Sequence, residues 1–187
     1  MKDFKSGITE WILAAGLMVV LSPACFAQTA GKGVLQNFEP DNGTEGEYFT
    51  QIWNCTAEFD AEKVHAGSRS IKMETLDKGG TVGIKSVGNQ GQVDLTKAKK
   101  ITLWVYDTQG DNTVELRFKD ANGNGGSGPD GKSLWSTGKS RQNTWTKIEW
   151  NPADYPQVDG LDLSKISSIE VYELQAGVFY FDDLEVE

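Results

Sequence analysis

The stretch from residue 99 to residue 123, KKITLWVYDTQGDNTVELRFKDANG, decides the fold class. Its two β-rich runs, 100–107 and 113–120, alternate apolar side chains with polar or aromatic ones. Such a period of two is typical of strands with one buried face. Gly, Asp and Asn residues separate the two runs and indicate a turn between strands.

Outward from this stretch the chain repeats the same pattern of short β-rich runs broken by Gly, Asn, Asp and Pro about every ten residues. No window after residue 27 shows sustained helical periodicity. The sequence therefore predicts an all-β, two-sheet β-sandwich. The further predicted strands are 34–39, 48–56, 69–74, 81–86, 133–136, 144–150, 166–174 and 178–186.

The first 27 residues have the features of a signal peptide. Lys2 and Lys5 give a basic start, an apolar run follows at 11–21, and small residues precede Gln28. We expect cleavage before Gln28 and a secreted or periplasmic, extracellular location. An uncleaved membrane anchor and a lipoprotein modified at Cys25 are the alternatives.

After the signal peptide we expect a mobile leader at 28–33 and one domain at 34–187. Cys55 is then the one cysteine left, so no intrachain disulfide is expected. The formal net charge of −9 disfavours nucleic acid and anionic membrane surfaces as partners. The oligomeric state is not predicted.

The alternation at 101–107 and 114–119 separates a core face from a polar and aromatic face. Trp104 and Tyr106 share one face of the first run, and Glu115 and Arg117 share one face of the second. If the two strands pair as a meander, these four side chains meet on one surface. Such a surface suits a sugar, because an aromatic plane contacts the ring and polar side chains bond its hydroxyls. The alternative is that a loop covers Trp104.

Two further tryptophans join the predicted ligand-binding set. Trp135 follows the glycine-rich loop 121–132, and Trp53 lies in FTQIWNCT, where no face can be assigned. The candidate ligand-binding residues are Trp104, Tyr106, Glu115, Arg117, Trp135 and Trp53.

No catalytic group is evident, so we predict that the protein is not an enzyme. The chain has one histidine, His65, lacks a GxSxG motif, and has too few His and Cys residues for a zinc site. Paired carboxylates, sufficient for glycoside hydrolysis, stay open in an acidic chain. Glu39 and Asp182, in the first and last strands, are predicted to bind a structural calcium ion together with carbonyls of the turn 65–68. The alternative is that the acidic pair Asp182 and Asp183 is solvated on an edge strand.

The order of segments NFE, VHAGSRSIKME, KKITLWVYD, VELRFKDANG, TWTKIEW, DLSKISSIEVY and GVFYFDDLEVE resembles secreted carbohydrate-binding modules of the galactose-binding-domain-like jelly roll. The resemblance implies glycan binding on one sheet or at loop tips. It also implies that Glu39 and Asp182 are calcium ligands remote from the sugar, and that a separate glycoside hydrolase is a partner.

The predicted function is non-catalytic binding of a polysaccharide or oligosaccharide, by aromatic stacking and polar contacts at the rim. A small jelly-roll glycoside hydrolase or polysaccharide lyase is one alternative. An envelope protein-interaction module is the other, because a fold does not fix a function.

Overall fold

A computed structural model of the chain describes residues 28–29, 33–36, 38–39, 48–85, 92–125, 135–151 and 160–187. The predicted signal peptide, residues 1–27, lies outside the described residues and stays a prediction. Across the described ranges the chain forms thirteen strands and one short 3₁₀ helix, Leu163–Lys165. None of the described helical residues forms a helix with the length and apolar character needed to cross a bilayer. The strands are β1 (Gln28–Thr29), β2 (Gly33–Gln36), β3 (Phe49–Trp53), β4 (Cys55–Asp60), β5 (Ser70–Thr75), β6 (Gly80–Lys85), β7 (Val93–Asp94), β8 (Ile101–Asp107), β9 (Thr113–Asp120), β10 (Trp135–Lys139), β11 (Trp145–Trp150), β12 (Ile166–Glu173) and β13 (Val178–Val186).

The strands form two sheets, which confirms the predicted β-sandwich. Sheet I places its main strands in the order β10-β9-β12-β6-β3, with β7 and β1 joined at the end of β12. Sheet II has the order β11-β8-β13-β5-β4, and β2 also pairs with β13. Neighbouring strands are antiparallel except β1 and β7. Gln28–Thr29, in the segment for which the sequence predicts a mobile leader, thus pairs through its main chain with Val93–Asp94.

The core lies between the sheets and follows the predicted alternation. Leu103 of β8 and Leu116 of β9 are fully buried, whereas Trp104 and Arg117 beside them are partly exposed. Residues at alternate positions of a strand point to opposite faces, so each strand supplies one inner and one outer row. The predicted faces of β8 and β9 are therefore confirmed.

The predicted pairing of β8 with β9 is wrong. The strand β8 belongs to sheet II, between β11 and β13, whereas β9 belongs to sheet I, between β10 and β12. The two runs that look like a hairpin are thus joined by a connection that crosses from one sheet to the other. Trp104 and Tyr106 consequently lie on the opposite side of the sandwich from Glu115 and Arg117.

A buried polar network explains this crossing. The Asp107 carboxylate, at the end of β8, accepts hydrogen bonds from Asn112 Nδ2 at 2.9 Å and from Ser140 Oγ at 2.6 Å. Its other oxygen accepts a hydrogen bond from the backbone N–H of Gln109 at 2.7 Å. Asn112 precedes β9, and Ser140 lies between β10 and β11, so one carboxylate ties both crossovers together. All three of these polar side chains are fully buried, where hydrogen bonds are needed to offset desolvation.

Candidate functional site

The outer face of sheet I carries aromatic and charged side chains in neighbouring rows. In the first row, Trp53 of β3 pairs with Thr81, Thr81 pairs with Tyr172 of β12, and Tyr172 pairs with Glu115 of β9. Cross-strand partners point to the same face of a sheet. Trp53, Tyr172 and Glu115 are therefore brought onto one surface, although they come from distant parts of the chain.

The second row lies beside the first. Glu170 of β12 pairs with Gly83 of β6 on one side and with Arg117 of β9 on the other. Sequence analysis singled out Trp53, Glu115 and Arg117 from these two rows, and the structure adds the two residues from β12. We call the surface formed by Trp53, Tyr172, Glu115, Arg117 and Glu170 the platform.

Two stacked aromatic rings form the apolar part of the platform. The rings of Trp53 and Tyr172 have their centroids 5.7 Å apart and their planes inclined by 29°. Trp53 is 43% exposed, and Tyr172 is partly exposed. The two rings are stacked on each other, and the parts that stay exposed present an apolar surface to solvent, of the kind that the C–H face of a sugar packs against.

The position of Trp53 is fixed by its local backbone. A β-bulge interrupts the pairing of β3 with β6 between Gln51 and Trp53. Asn54 follows with a φ of 50°, in the left-handed region that Asn tolerates better than most residues. Its side-chain Nδ2 donates to the Gly79 carbonyl at 2.9 Å, in the turn after β5. The bulge and this hydrogen bond determine where the Trp53 side chain projects from β3.

The polar part of the platform is an acid between two cations. The Glu170 side chain is 5% exposed, with Arg117 Nε 3.8 Å and Lys119 Nζ 3.5 Å from its oxygens. At 3.8 Å the contact with Arg117 is an ion pair without a hydrogen bond. The Arg117 Nε is buried and has no hydrogen-bond partner in the described part of the chain. This arrangement can offer a ligand both acceptors and charged donors at the edge of the aromatic surface.

Trp104 and Tyr106 lie on the outer face of sheet II, where the turn that follows β4 covers them. The His65 ring stacks on Trp104 with centroids 3.9 Å apart and an interplanar angle of 19°. The Lys63 ammonium lies 4.5 Å from the centroid of the Tyr106 ring. Asp183 holds the His65 ring through Nδ1 at 2.8 Å. One face of each predicted stacking ring is therefore occupied by a side chain of the protein itself.

Comparison with known proteins finds likeness in structure and none in sequence. No protein-family model and no curated protein matches the chain. The family 11 carbohydrate-binding module of the cellulosomal cellulase Lic26A-Cel5E of Clostridium thermocellum matches with a TM-score of 0.55 at 16% identity, over 84% of this chain and 94% of the module. The CBM22-1 xylan-binding domain of Paenibacillus barcinonensis Xyn10C matches with a TM-score of 0.51 at 12% identity, over 84% of this chain and 96% of that domain.

The fold is that of these modules. It is the β-sandwich jelly roll that the sequence resemblance implies. An exo-β-agarase shares the same fold over 83% of this chain and 25% of its own length, with a TM-score of 0.57 at 11% identity. At such identities the likeness establishes the fold and leaves the ligand open.

Trp135 begins β10, at the free edge of sheet I. Its backbone pairs with Leu116 of β9. Its side chain lies outside the described residues, so Trp135 stays a predicted ligand-binding residue.

Glu39 and Asp182 both contact the turn 65–68, as the calcium prediction requires. The Ser68 amide and hydroxyl donate to the two Glu39 oxygens at 2.7 and 2.6 Å. The amides of His65 and Ala66 donate to Asp182 Oδ2 at 2.9 and 3.2 Å. Burial raises the pKa of the Asp182 carboxyl to about 6, although these N–H donors act to lower it.

The turn thus presents N–H donors to the two carboxylates. The prediction expected carbonyl oxygens of this turn to face a calcium ion instead. Calcium takes six to eight oxygen ligands, so a calcium site here needs ligands beyond Glu39 and Asp182. Within the described ranges no three His, Cys, Asp or Glu side chains gather as metal ligands. Calcium binding stays a prediction.

Sequence analysis missed Tyr172 and Glu170, although their strand carries a readable signal. In ISSIEVYE, Ile169 and Val171 are fully buried and alternate with Glu170 and Tyr172. The same reasoning that separated the faces of β8 and β9 therefore assigns Glu170 and Tyr172 to an outer face. What the sequence does not give is that this face lies next to Trp53, Glu115 and Arg117.

Proposed function

We propose that the protein binds a polysaccharide or oligosaccharide on the platform and does not transform it chemically. The observation that carries the proposal is the stacked, partly exposed pair Trp53 and Tyr172 beside a charged edge. A sugar ring packs its C–H face on such a pair while its hydroxyls reach polar side chains. Glu115 and Arg117 are polar groups at the edge of this pair, because Glu115 pairs with Tyr172 and Arg117 lies one row further along β9.

The jelly-roll fold supports the proposal by analogy. One matching structure is a family 11 module from Clostridium thermocellum in complex with a β-1,3-1,4-mixed-linked tetrasaccharide. Another is a xylan-binding domain. We extend carbohydrate binding to this chain on the strength of its own platform, and the analogy selects the first glycans to test.

Affinity electrophoresis in gels containing β-glucan, xylan or mannan tests the proposal. We expect retardation by at least one polymer, and at least tenfold weaker binding for Trp53→Ala and for Tyr172→Ala, since each removes half of the stacking surface. A tenfold loss corresponds to about 1.4 kcal/mol, below the roughly 2 kcal/mol typical of aromatic hot spots. Trp145→Ala, a partly buried aromatic on the outer face of sheet II, is the matched control.

A second variant blocks the platform without removing any of its side chains. Gly83 lies at the centre of sheet I, between Thr50 and Glu170, and any added side chain there points outward. A Cβ at Gly83 approaches Ile52 Cδ1 to 2.8 Å, the end of a flexible side chain that can move aside. We expect Gly83→Leu to fold and to abolish retardation. Unchanged retardation of both Gly83→Leu and Trp53→Ala would place the sugar elsewhere.

The two alternatives are tested with the same material. A hydrolase or lyase releases reducing ends or unsaturated products from the polymers, whereas a binding module leaves them intact. An envelope protein-interaction module shows no retardation by any glycan. Export is a separate part of the proposal, and amino-terminal sequencing of secreted protein is expected to begin at Gln28.

A further inference from the structure

The outward charges of the described strands differ between the two faces of the sandwich. At outward positions sheet II carries two lysines and six carboxylates, and sheet I carries four cations and three carboxylates. The net outward charge is thus −4 on sheet II and +1 on sheet I, in a chain with a formal charge of −9. The sheet II residues are Lys72, Lys147, Glu58, Asp60, Glu74, Glu149, Asp182 and Glu185, and the sheet I residues are Lys85, Arg117, Lys119, Lys139, Asp94, Glu115 and Glu170.

Three of the four cations of sheet I, Lys85, Arg117 and Lys119, lie in neighbouring rows at one end of the platform. Ser168 of β12 pairs with Lys85 on one side and with Lys119 on the other, which forms a third row after those of Tyr172 and Glu170. Strands in a sheet are about 4.8 Å apart, so the Cα atoms of the two lysines are separated by about 10 Å. Arg117 lies in the adjoining row.

The acids of the platform do not neutralise this group. Glu170 lies between Arg117 and Lys119, Glu115 lies one row before them and Lys85 one row after, so these two acids and three cations sum to +1. The Arg117 and Lys119 side chains are 39% and 38% exposed, so both remain accessible from solvent. A guanidinium and an ammonium in this position suit the oxygens of an anionic group.

We propose that the ligand of the platform is an acidic polysaccharide, whose anionic groups contact Arg117 and Lys119 while a sugar ring stacks on Trp53 and Tyr172. This inference deepens the proposed function and depends on it. Ser168 lies four positions before Tyr172 along β12, a distance of about 13 Å. A glycan lying along β12 therefore meets the aromatic pair first and the cationic row beyond it. Carboxylate groups of uronic acids and sulfate esters both supply the required charge.

Affinity electrophoresis with polygalacturonate, a sulfated galactan and a neutral β-glucan distinguishes these ligands. We expect retardation by at least one acidic polymer, and weaker retardation as sodium chloride is added, because salt screens exposed charges. If polygalacturonate alone retards the protein, the anionic group of the ligand is a carboxylate. If the sulfated galactan alone retards it, that group is a sulfate.

The variant R117Q/K119Q/E170Q removes both cations together with the acid they flank, so no buried charge is left unpaired. We expect it to bind the acidic polymer at least tenfold more weakly. The matched control K72Q/K147Q/E58Q makes the same change in charge on sheet II, and we expect less than a twofold change in its affinity. Thermal unfolding of both variants verifies that they are folded.

The outcomes separate this inference from the proposed function. Binding of the neutral β-glucan alone, insensitive to salt, keeps the proposed function and overturns the acidic ligand. Binding of an acidic polymer that R117Q/K119Q/E170Q retains in full overturns the assignment to these cations. Retardation by none of the acidic or neutral polymers overturns both proposals.

Discussion

Glu173 is a carboxyl in the core whose replacement we expect to stabilise the protein. It lies at the end of β12, is fully buried, and neither of its oxygens has a hydrogen-bond partner in the described part of the chain. Burial and, after it, the charge of Asp107 raise the pKa of Glu173 well above its ordinary value of 4.5. Glu173→Gln keeps the shape of the side chain and removes the ionisable proton.

The magnitude follows from the raised pKa, because the amide of Gln is as unpaired as the protonated carboxyl. Each unit by which folding raises the pKa of a carboxyl costs about 1.4 kcal/mol of stability at a pH above that pKa. For a domain of this size each kcal/mol shifts Tm by about 2–4 °C. The pKa of Glu173 is raised well above its ordinary value, so we expect Glu173→Gln to raise Tm by at least about 3 °C at pH 8.

The pH dependence gives the sign of the effect. Between 4.5 and its raised native pKa, Glu173 holds a proton in the folded protein that the unfolded chain releases. The contribution of Glu173 to stability therefore falls as pH rises through this window. The Glu173→Gln variant does not lose stability in this way. Its gain in stability over the parent should therefore be small near pH 4.5 and grow towards pH 8.

Differential scanning calorimetry from pH 4.5 to pH 8 measures this advantage. Glu74→Gln, on an exposed position of β5, is the control and should change stability by less than about 0.5 kcal/mol. A Glu173→Gln variant that is less stable than the parent at pH 8 would refute the reasoning. That result would mean that the carboxylate is charged and held by a favourable partner.

Three further predictions concern the crossover, the second face and the turn. Asp107→Ala leaves the buried donors of Asn112 and Ser140 unpaired, so we expect it to lower the free energy of unfolding by at least about 2 kcal/mol. Urea titration measures this change, and a smaller loss would contradict the role of Asp107 in holding the crossovers. Tyr106→Ala should leave glycan retardation unchanged, because the Tyr106 ring lies on sheet II under Lys63; a tenfold loss would move the site to that face. If the turn 65–68 binds calcium, calcium chloride raises Tm and EGTA lowers it, whereas equal values in both contradict the calcium prediction.

The sequence predicts the strands of this fold because apolar residues recur at every second position of β8 and β9. In β8 and β9 the core residues Leu103 and Leu116 are completely buried, and their neighbours face outward, as the period of two requires. The strand bounds at 113–120 and 178–186 are correct to the residue. The predicted run 48–56 is in fact divided by Asn54, whose left-handed backbone ends β3 and starts β4.

The sequence does not predict which strands share a sheet, because long-range contacts decide it. Asp107, at the end of β8, accepts a hydrogen bond from Ser140, 33 residues away, and this bond joins the β8–β9 connection to the β10–β11 connection. The ring of Trp53 meets that of Tyr172 across more than a hundred residues. Local alternation places each side chain on a face, and the topology then decides which faces coincide. The sequence therefore places Trp104 and Tyr106 on one outer face and Glu115 and Arg117 on another, but it does not show that these faces belong to different sheets.

The tryptophan indole N–H resonances give the most direct test of where a glycan binds. In a ¹H–¹⁵N titration with an oligosaccharide of the polymer that retards the protein, we expect the Trp53 indole signal to shift. Trp104 and Trp145, on sheet II, should keep their positions. Shifts of Trp104 and Trp145 with an unmoved Trp53 would contradict the assignment of the binding surface to sheet I.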